Sequence, residues 1–120
     1  VTLKRAMQDI EKSVGKGCVG VNLDPANLLM YGKANPVDAL DVFGEYVRGI
    51  HGKDGKYPTD GHFLGEEVSI GQGKVNYPVF IARLKEVGYD GDITIEREIS
   101  GEEQKKDILA GKEYLEQLIG

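Results

Sequence analysis

The sequence has 120 residues, with 15 Lys and Arg against 20 Asp and Glu, a formal charge of −5, one Cys, two His and no Trp. Forty per cent hydrophobic and 29% charged residues exclude wholesale disorder, and the length suits one domain with a modest core. The acidic balance argues against a nucleic-acid partner, and no apolar run approaches the roughly 18–20 residues that cross a bilayer.

Leu3, Met7, Ile10 and Val14 are spaced to share one face of a helix, which Gly15 and Gly17 stop. Cys18 to Leu23 reads as a short buried strand with Cys18 in the core, followed by a turn at Asp24-Pro25. Asn35-Pro36 opens a second helix, the Asn as cap and the Pro in the first turn, and Val37, Leu40, Phe43 and Val47 continue it. Arg48-Gly49-Ile50 ends a second strand. Residues 52–76 are rich in Gly, Lys, Asp and Glu without a period, which marks a functional or mobile connection. Phe80, Leu84 and Val87 set a third helix ending at Gly88, and Ile93-Thr94-Ile95 is a β-branched strand. Ser100-Gly101-Glu102-Glu103 fits a capping box opening a last helix that turns Ile108, Leu115 and Ile119 inward.

Strands alternating with helices predict an α/β fold, about three parallel strands with four helices. Three strands are few for such a sheet, whose two edges stay open. A single Cys fits a reducing compartment, hence the cytoplasm. The first residues lack the basic and apolar regions of a secretory signal. The chain opens Val1-Thr2 without a Met, so a longer parent, with any signal upstream, is expected.

In βα architectures chemistry sits at the carboxyl ends of the strands. Asp24 follows the first strand, His51 the second with Asp54 three residues on, and Glu96 the third. Two carboxylates and one imidazole on one rim suit a divalent cation, Mn, Mg, Co or Zn. Each residue also has a plainer reading: Asp24 as a turn cap, His51 as a satisfied polar residue, Glu96 in a solvated Glu96-Arg97-Glu98 string. Gly71-Gln72-Gly73 lacks the third glycine and strand-to-helix setting of a dinucleotide loop. His62 reads as a surface residue. Tyr31, Tyr57 and Phe63 either line a pocket or simply pack.

Asn22-Leu23-Asp24-Pro25-Ala26-Asn27-Leu28, His51-Gly52-Lys53-Asp54, Leu64-Gly65-Glu66 with Gly71-Gln72-Gly73, and Thr94-Ile95-Glu96-Arg97-Glu98 together resemble the sugar phosphate isomerase/epimerase group of the xylose isomerase-like TIM-barrel superfamily. The likeness runs over essentially the whole chain. It implies a partial (β/α)8 barrel, residues 1–120 being the C-terminal portion with strands six to eight behind the fifth helix. It implies Asp24, His51 and Glu96 as metal ligands, the fourth (a Glu on the fifth strand) having no counterpart here. Glu96 doubles as catalytic acid/base on an enediolate route between isomeric sugars or sugar phosphates. Asn27 stands where ketose epimerases carry a substrate-contacting His, and Tyr57 where they carry an Arg. Lys53 and Asp54 are assigned to substrate, steadying the oxyanion, or to the second shell. The chain alone is expected to be inactive and to self-associate through its open sheet edges. The alternatives are a non-catalytic binding or assembly module and, more remotely, a metal-dependent endonuclease of the same barrel, whose several zinc ions need more than two His.

Overall fold

A computed structural model describes residues 2–32, 34–59, 61 and 64–120. Helix α1 (Thr2–Val14) ends where Gly15 and Gly17 take positive φ. Of its apolar face only Met7 is buried, while Leu3, Ile10 and Val14 remain exposed. Strand β1 is shorter than expected, Val21–Leu23. Cys18 lies before it and is exposed, its Sγ turned to the Val14 carbonyl. The apolar run extends beyond the strand, so composition overstated both the strand and the burial of the Cys.

Asp24-Pro25 is not a simple turn. Pro25, with φ already fixed, starts helix α2 (Pro25–Met30), and Asp24 caps it by accepting from Asn27 N–H at 3.0 Å. Asn35 caps helix α3 (Pro36–Phe43) by accepting from Val37 and Asp38 N–H. Val47 does not continue α3. A 3-10 turn over Gly44–Tyr46 ends the helical run, and Val47 opens strand β2 (Val47–Gly52). The i+4 spacing from Phe43 to Val47 thus spans a helix end and a strand start, both facing the core. Beyond β2 the chain forms two short antiparallel strands, β3 (Asp54–Gly55) and β4 (Glu67–Val68), then helix α4 (Tyr77–Glu86), strand β5 (Ile93–Ile95) and helix α5 (Glu102–Ile119). The expected capping box is absent: Gly101 is the N-cap and makes no side-chain bond. Leu115 is buried on α5, but Ile119 is exposed and Ile108 only half-buried. Five α-helices among the described residues therefore replace the expected four.

The main sheet has the order β1-β2-β5, all parallel, with Leu23 beside Ile50 and Ile50 beside Ile93. This is the α/β fold and parallel three-strand sheet that the alternation of strand and helix predicts. On one face Leu23 and Ile50 pack with Leu29, Leu40, Phe80, Ile81 and Leu84 from the helices, with Ile93 and Ile95 against them. Burying each such side chain contributes roughly 1.5–3 kcal/mol. Strand alternation sends Asn22, Gly49, His51 and Thr94 to the opposite face. There Asn22 and Thr94 are exposed, and Gly49 leaves room for the Asn22 amide, which a Cβ would meet at 2.9 Å. Parallel pairing brings the ends of β1, β2 and β5 to one rim. Among the described residues no helix is long and apolar enough to cross a membrane.

Candidate functional site

Asp24 is the first residue after β1, His51 the penultimate residue of β2, Lys53 the first after β2 and Glu96 the first after β5. Extended backbone gives Lys53 the same facing as His51, so its side chain enters the rim between the flanking strands. Its ammonium nitrogen lies 3.1 Å from Asp24 Oδ2, 2.7 Å from Glu98 Oε1 and 3.9 Å from Glu96 Oε2. The Lys53 side chain is only 2% exposed. Burial by itself lowers its pKa, but the bonds to Glu98 and Asp24 outweigh that, so it stands above the ordinary lysine value.

Asp24 divides its carboxylate between two tasks. Oδ1 caps α2 and Oδ2 faces Lys53. The turn-cap reading of this residue accounts for one oxygen, and the other is turned to the rim. Glu96 is divided likewise: Oε1 pairs with His51 Nδ1, and Oε2 faces the ammonium. His51 Nε2 lies 2.9 Å from the Asn22 side-chain nitrogen. An amide nitrogen only donates, so Nε2 is the acceptor and the ring proton is on Nδ1, directed at Glu96. Asp24, His51 and Glu96 therefore gather at one rim. Their carboxylate oxygens converge on one cationic point, held here by Lys53, while the imidazole reaches that point only through Glu96. Among the described residues, no group of three or more His, Cys, Asp or Glu side chains is disposed around one metal-sized point. The donor set nonetheless fits a divalent cation in kind: two hard carboxylates already turned to a positive charge, and an imidazole beside them.

The structure gives Asp54 another task than contact with substrate. It is 1% exposed. Its carboxylate accepts the backbone N–H groups of Gly55 at 2.8 Å, Gly71 at 2.9 Å, and Gly73 and Val75 at 3.2 Å each. The described part of segment 52–76 is thus folded around one buried carboxylate, which is why it shows no hydrophobic period. The Tyr77 hydroxyl, also buried, donates to the Lys53 carbonyl at 2.6 Å and accepts from the Lys53 N–H at 3.0 Å, fixing the backbone under the ammonium. Asn27 contributes its N–H to Asp24, and its side chain is half-buried near the rim. Tyr31 and Tyr57 are exposed, and His62 and Phe63 lie outside the described residues.

Sequence reasoning passed over Asn22, Tyr77, Glu67 and Glu98 as site residues. Glu67 Oε1 accepts from Arg97 at 2.6 Å and from Glu98 N–H at 3.0 Å, and Arg97 also donates to Asp107 at 2.7 Å. These bonds tie β4 to the segment after β5 that carries Glu96 and Glu98. Glu98 was detectable, since it stands two residues from Glu96. Tyr77 and Glu67 depend on contacts across 24 and 30 residues of sequence, which no local pattern encodes.

Comparison with known proteins agrees with this fold. The family profile described as xylose isomerase-like TIM barrel matches residues 2–118. The chain is 32% identical over 113 residues to an uncharacterized protein of Methanocaldococcus jannaschii, covering 92% of this chain and 36% of that protein. It is 28% identical over 119 residues to an uncharacterized protein of Bacillus subtilis, covering 84% and 38%. Among solved structures it is similar to a xylose isomerase domain protein from Planctomyces limnophilus, with a TM-score of 0.84 and 38% identity over 96% of this chain and 43% of that one. A xylose isomerase-like TIM barrel protein from Mycobacterium smegmatis, solved in complex with magnesium, matches with a TM-score of 0.72 and 21% identity over 97% and 39%. The chain thus spans less than half the length of these relatives.

Proposed function

This chain belongs to the xylose isomerase-like TIM-barrel family, and from that premise we propose that it forms strands six to eight, the C-terminal part, of a metal-dependent sugar or sugar-phosphate isomerase or epimerase. The observation that carries the reading is the convergence of Asp24 Oδ2 and Glu96 Oε2 on one cationic point from the ends of the two strands that flank β2, with His51 bonded to Glu96. Asp24, His51 and Glu96 are the residues that would hold the metal. When bound, a divalent ion polarises a sugar carbonyl and the hydroxyl beside it. That the Mycobacterium smegmatis relative was solved with magnesium is in keeping with such an ion.

Glu96 is the proton carrier. Its carboxylate has one oxygen turned to the cationic point and the other to His51, so a single group both holds the cation and takes a proton from the carbon beside the carbonyl and returns it. Here His51 orients that carboxylate through Nδ1, with Asn22 on Nε2; to hold a metal the ring would give up its Nδ1 proton, the nitrogen on the side of Glu96. Asn27, on the first turn after Asp24, supplies a polar contact to the sugar. The −5 charge and the count of two His disfavour the endonuclease chemistry that the family also contains.

The test is solvent exchange. Full-length protein incubated in deuterated water with Mn²⁺ and a panel of ketoses and ketose phosphates is expected to introduce deuterium beside the carbonyl, and Glu96→Gln to abolish it. No incorporation with any member of the panel, while Mn²⁺ still binds, favours a non-catalytic binding module instead.

A further inference from the structure

Lys53 is a buried charge that the proton chemistry leaves without a role, and contact with substrate does not suit it. Its side chain is 2% exposed although the chain spans less than half the length of its relatives. Three carboxylates surround its one ammonium, so the four side chains of Asp24, Glu96, Glu98 and Lys53 sum to two negative charges. Two of those carboxylates are the residues proposed to bind metal. The shortest contact, 2.7 Å, goes to the third, Glu98, which is not one of them. Glu98 is in turn set in place by Glu67, which accepts its N–H at 3.0 Å.

We propose that Lys53 and Glu98 act as a positioning couple that sets the affinity of the rim for a divalent cation. Lys53 competes with the metal for Asp24 and Glu96, and Glu98 holds the ammonium back from them. Like charges a few ångströms apart beside a buried ammonium repel, so a metal gains the two ligands only as Lys53 withdraws toward Glu98. The couple keeps the carboxylates gathered before the metal arrives, and it lowers the affinity the same ligands would show without the ammonium. The inference rests on the proposed metal-binding role of Asp24 and Glu96.

The experiment is titration of the full-length protein with Mn²⁺ alone, followed by the electron paramagnetic resonance of the free ion. Lys53→Met removes the competing charge and is expected to tighten Mn²⁺ at least about ten-fold. Glu98→Gln releases the ammonium onto Asp24 and Glu96 and is expected to weaken it several-fold. Lys53→Arg keeps the charge and is expected to stay near wild type. Structural damage lowers affinity in every variant, so the opposite signs are the signature. Weaker binding by Lys53→Met, or unchanged binding by Glu98→Gln, overturns the couple; should Lys53→Met not fold, Lys53→Gln, which removes the charge but keeps a polar group among the carboxylates, takes its place with the same expected sign. Asp24→Asn separates the two claims: if it leaves the wild-type affinity intact, the ligand assignment itself is wrong and the couple falls with it.

Discussion

Asp54→Asn is the perturbation whose effect follows most directly from the geometry. Oδ2 accepts the Gly71 and Gly73 N–H groups and Oδ1 those of Gly55 and Val75. The amide keeps the shape, but whichever oxygen becomes NH2 then faces two N–H donors, so two charge-assisted bonds become donor–donor contacts. Hydrogen bonds to a charged group contribute about 1.5–3 kcal/mol each, so the expected loss is about 3–6 kcal/mol. Against a total stability of about 5–15 kcal/mol that is a large fraction. Gly73→Ala attacks the same clamp from the other side, because its Cβ would stand 2.2 Å from Asp54 Oδ1 and 2.5 Å from the Gly55 carbonyl. Denaturant unfolding of the full-length protein measures the loss. Hydrogen exchange at the Gly71, Gly73 and Val75 amides shows whether the segment opens locally first. A loss under about 1 kcal/mol with unchanged exchange at those amides would refute the clamp.

Tyr77→Phe strips both partners from the Lys53 peptide and leaves a buried N–H and C=O unsatisfied, at a cost of about 2–4 kcal/mol read from the denaturation midpoint; a neutral effect contradicts the clamp on Lys53. Burial, then the Asp54 charge, raise the Tyr77 phenol above its ordinary 10.0, and Lys53 stands above its ordinary 10.5. In both, the folded chain holds the proton more tightly than the unfolded one, so their stabilisation is complete below about pH 10 and is lost as the pH rises further. Melting temperature is expected to fall steeply above pH 10 and less steeply in Tyr77→Phe, and identical slopes count against it. Glu67→Gln weakens the grip on Arg97 and Glu98 and is expected to raise the exchange rate of the Glu98 amide; an unchanged rate shows that Glu67 does not hold the segment. The 120-residue chain by itself is expected to associate through the outer edges of β1 and β5 and to show no turnover; a clean monomer in sedimentation at micromolar concentration speaks against the first claim.

What the sequence reveals and what it hides divide along a physical line. Elements set by local chemistry were legible: Asn35-Pro36 caps α3, glycines with positive φ end α1 and follow α4, and β-branched Ile93-Thr94-Ile95 forms β5. The rim position of Asp24, His51 and Glu96 was legible too, because strand ends in a parallel sheet share one edge. Failures came where tertiary context decides. Helical spacing ran through the 3-10 turn into Val47, and an apolar run carried the strand reading back to the exposed Cys18. Residues 52–76 looked featureless because their order comes from polar bonds to Asp54 and not from an apolar face. Resemblance placed Lys53 and Asp54 near the chemistry, but only burial and partners separate an ammonium held among carboxylates from a carboxylate that binds a loop.

The central claim is that Asp24 and Glu96 turn their oxygens to a shared cation with His51 at its side. Crystals of the full-length protein soaked in Mn²⁺, with diffraction recorded at the manganese absorption edge, test it directly. An anomalous peak is expected about 2.2 Å from Asp24 Oδ2 and from Glu96, within ligating distance of His51, with the Lys53 ammonium displaced toward Glu98. A peak bound elsewhere, or a fully occupied ion with Lys53 still lodged between Asp24 and Glu96, would contradict it.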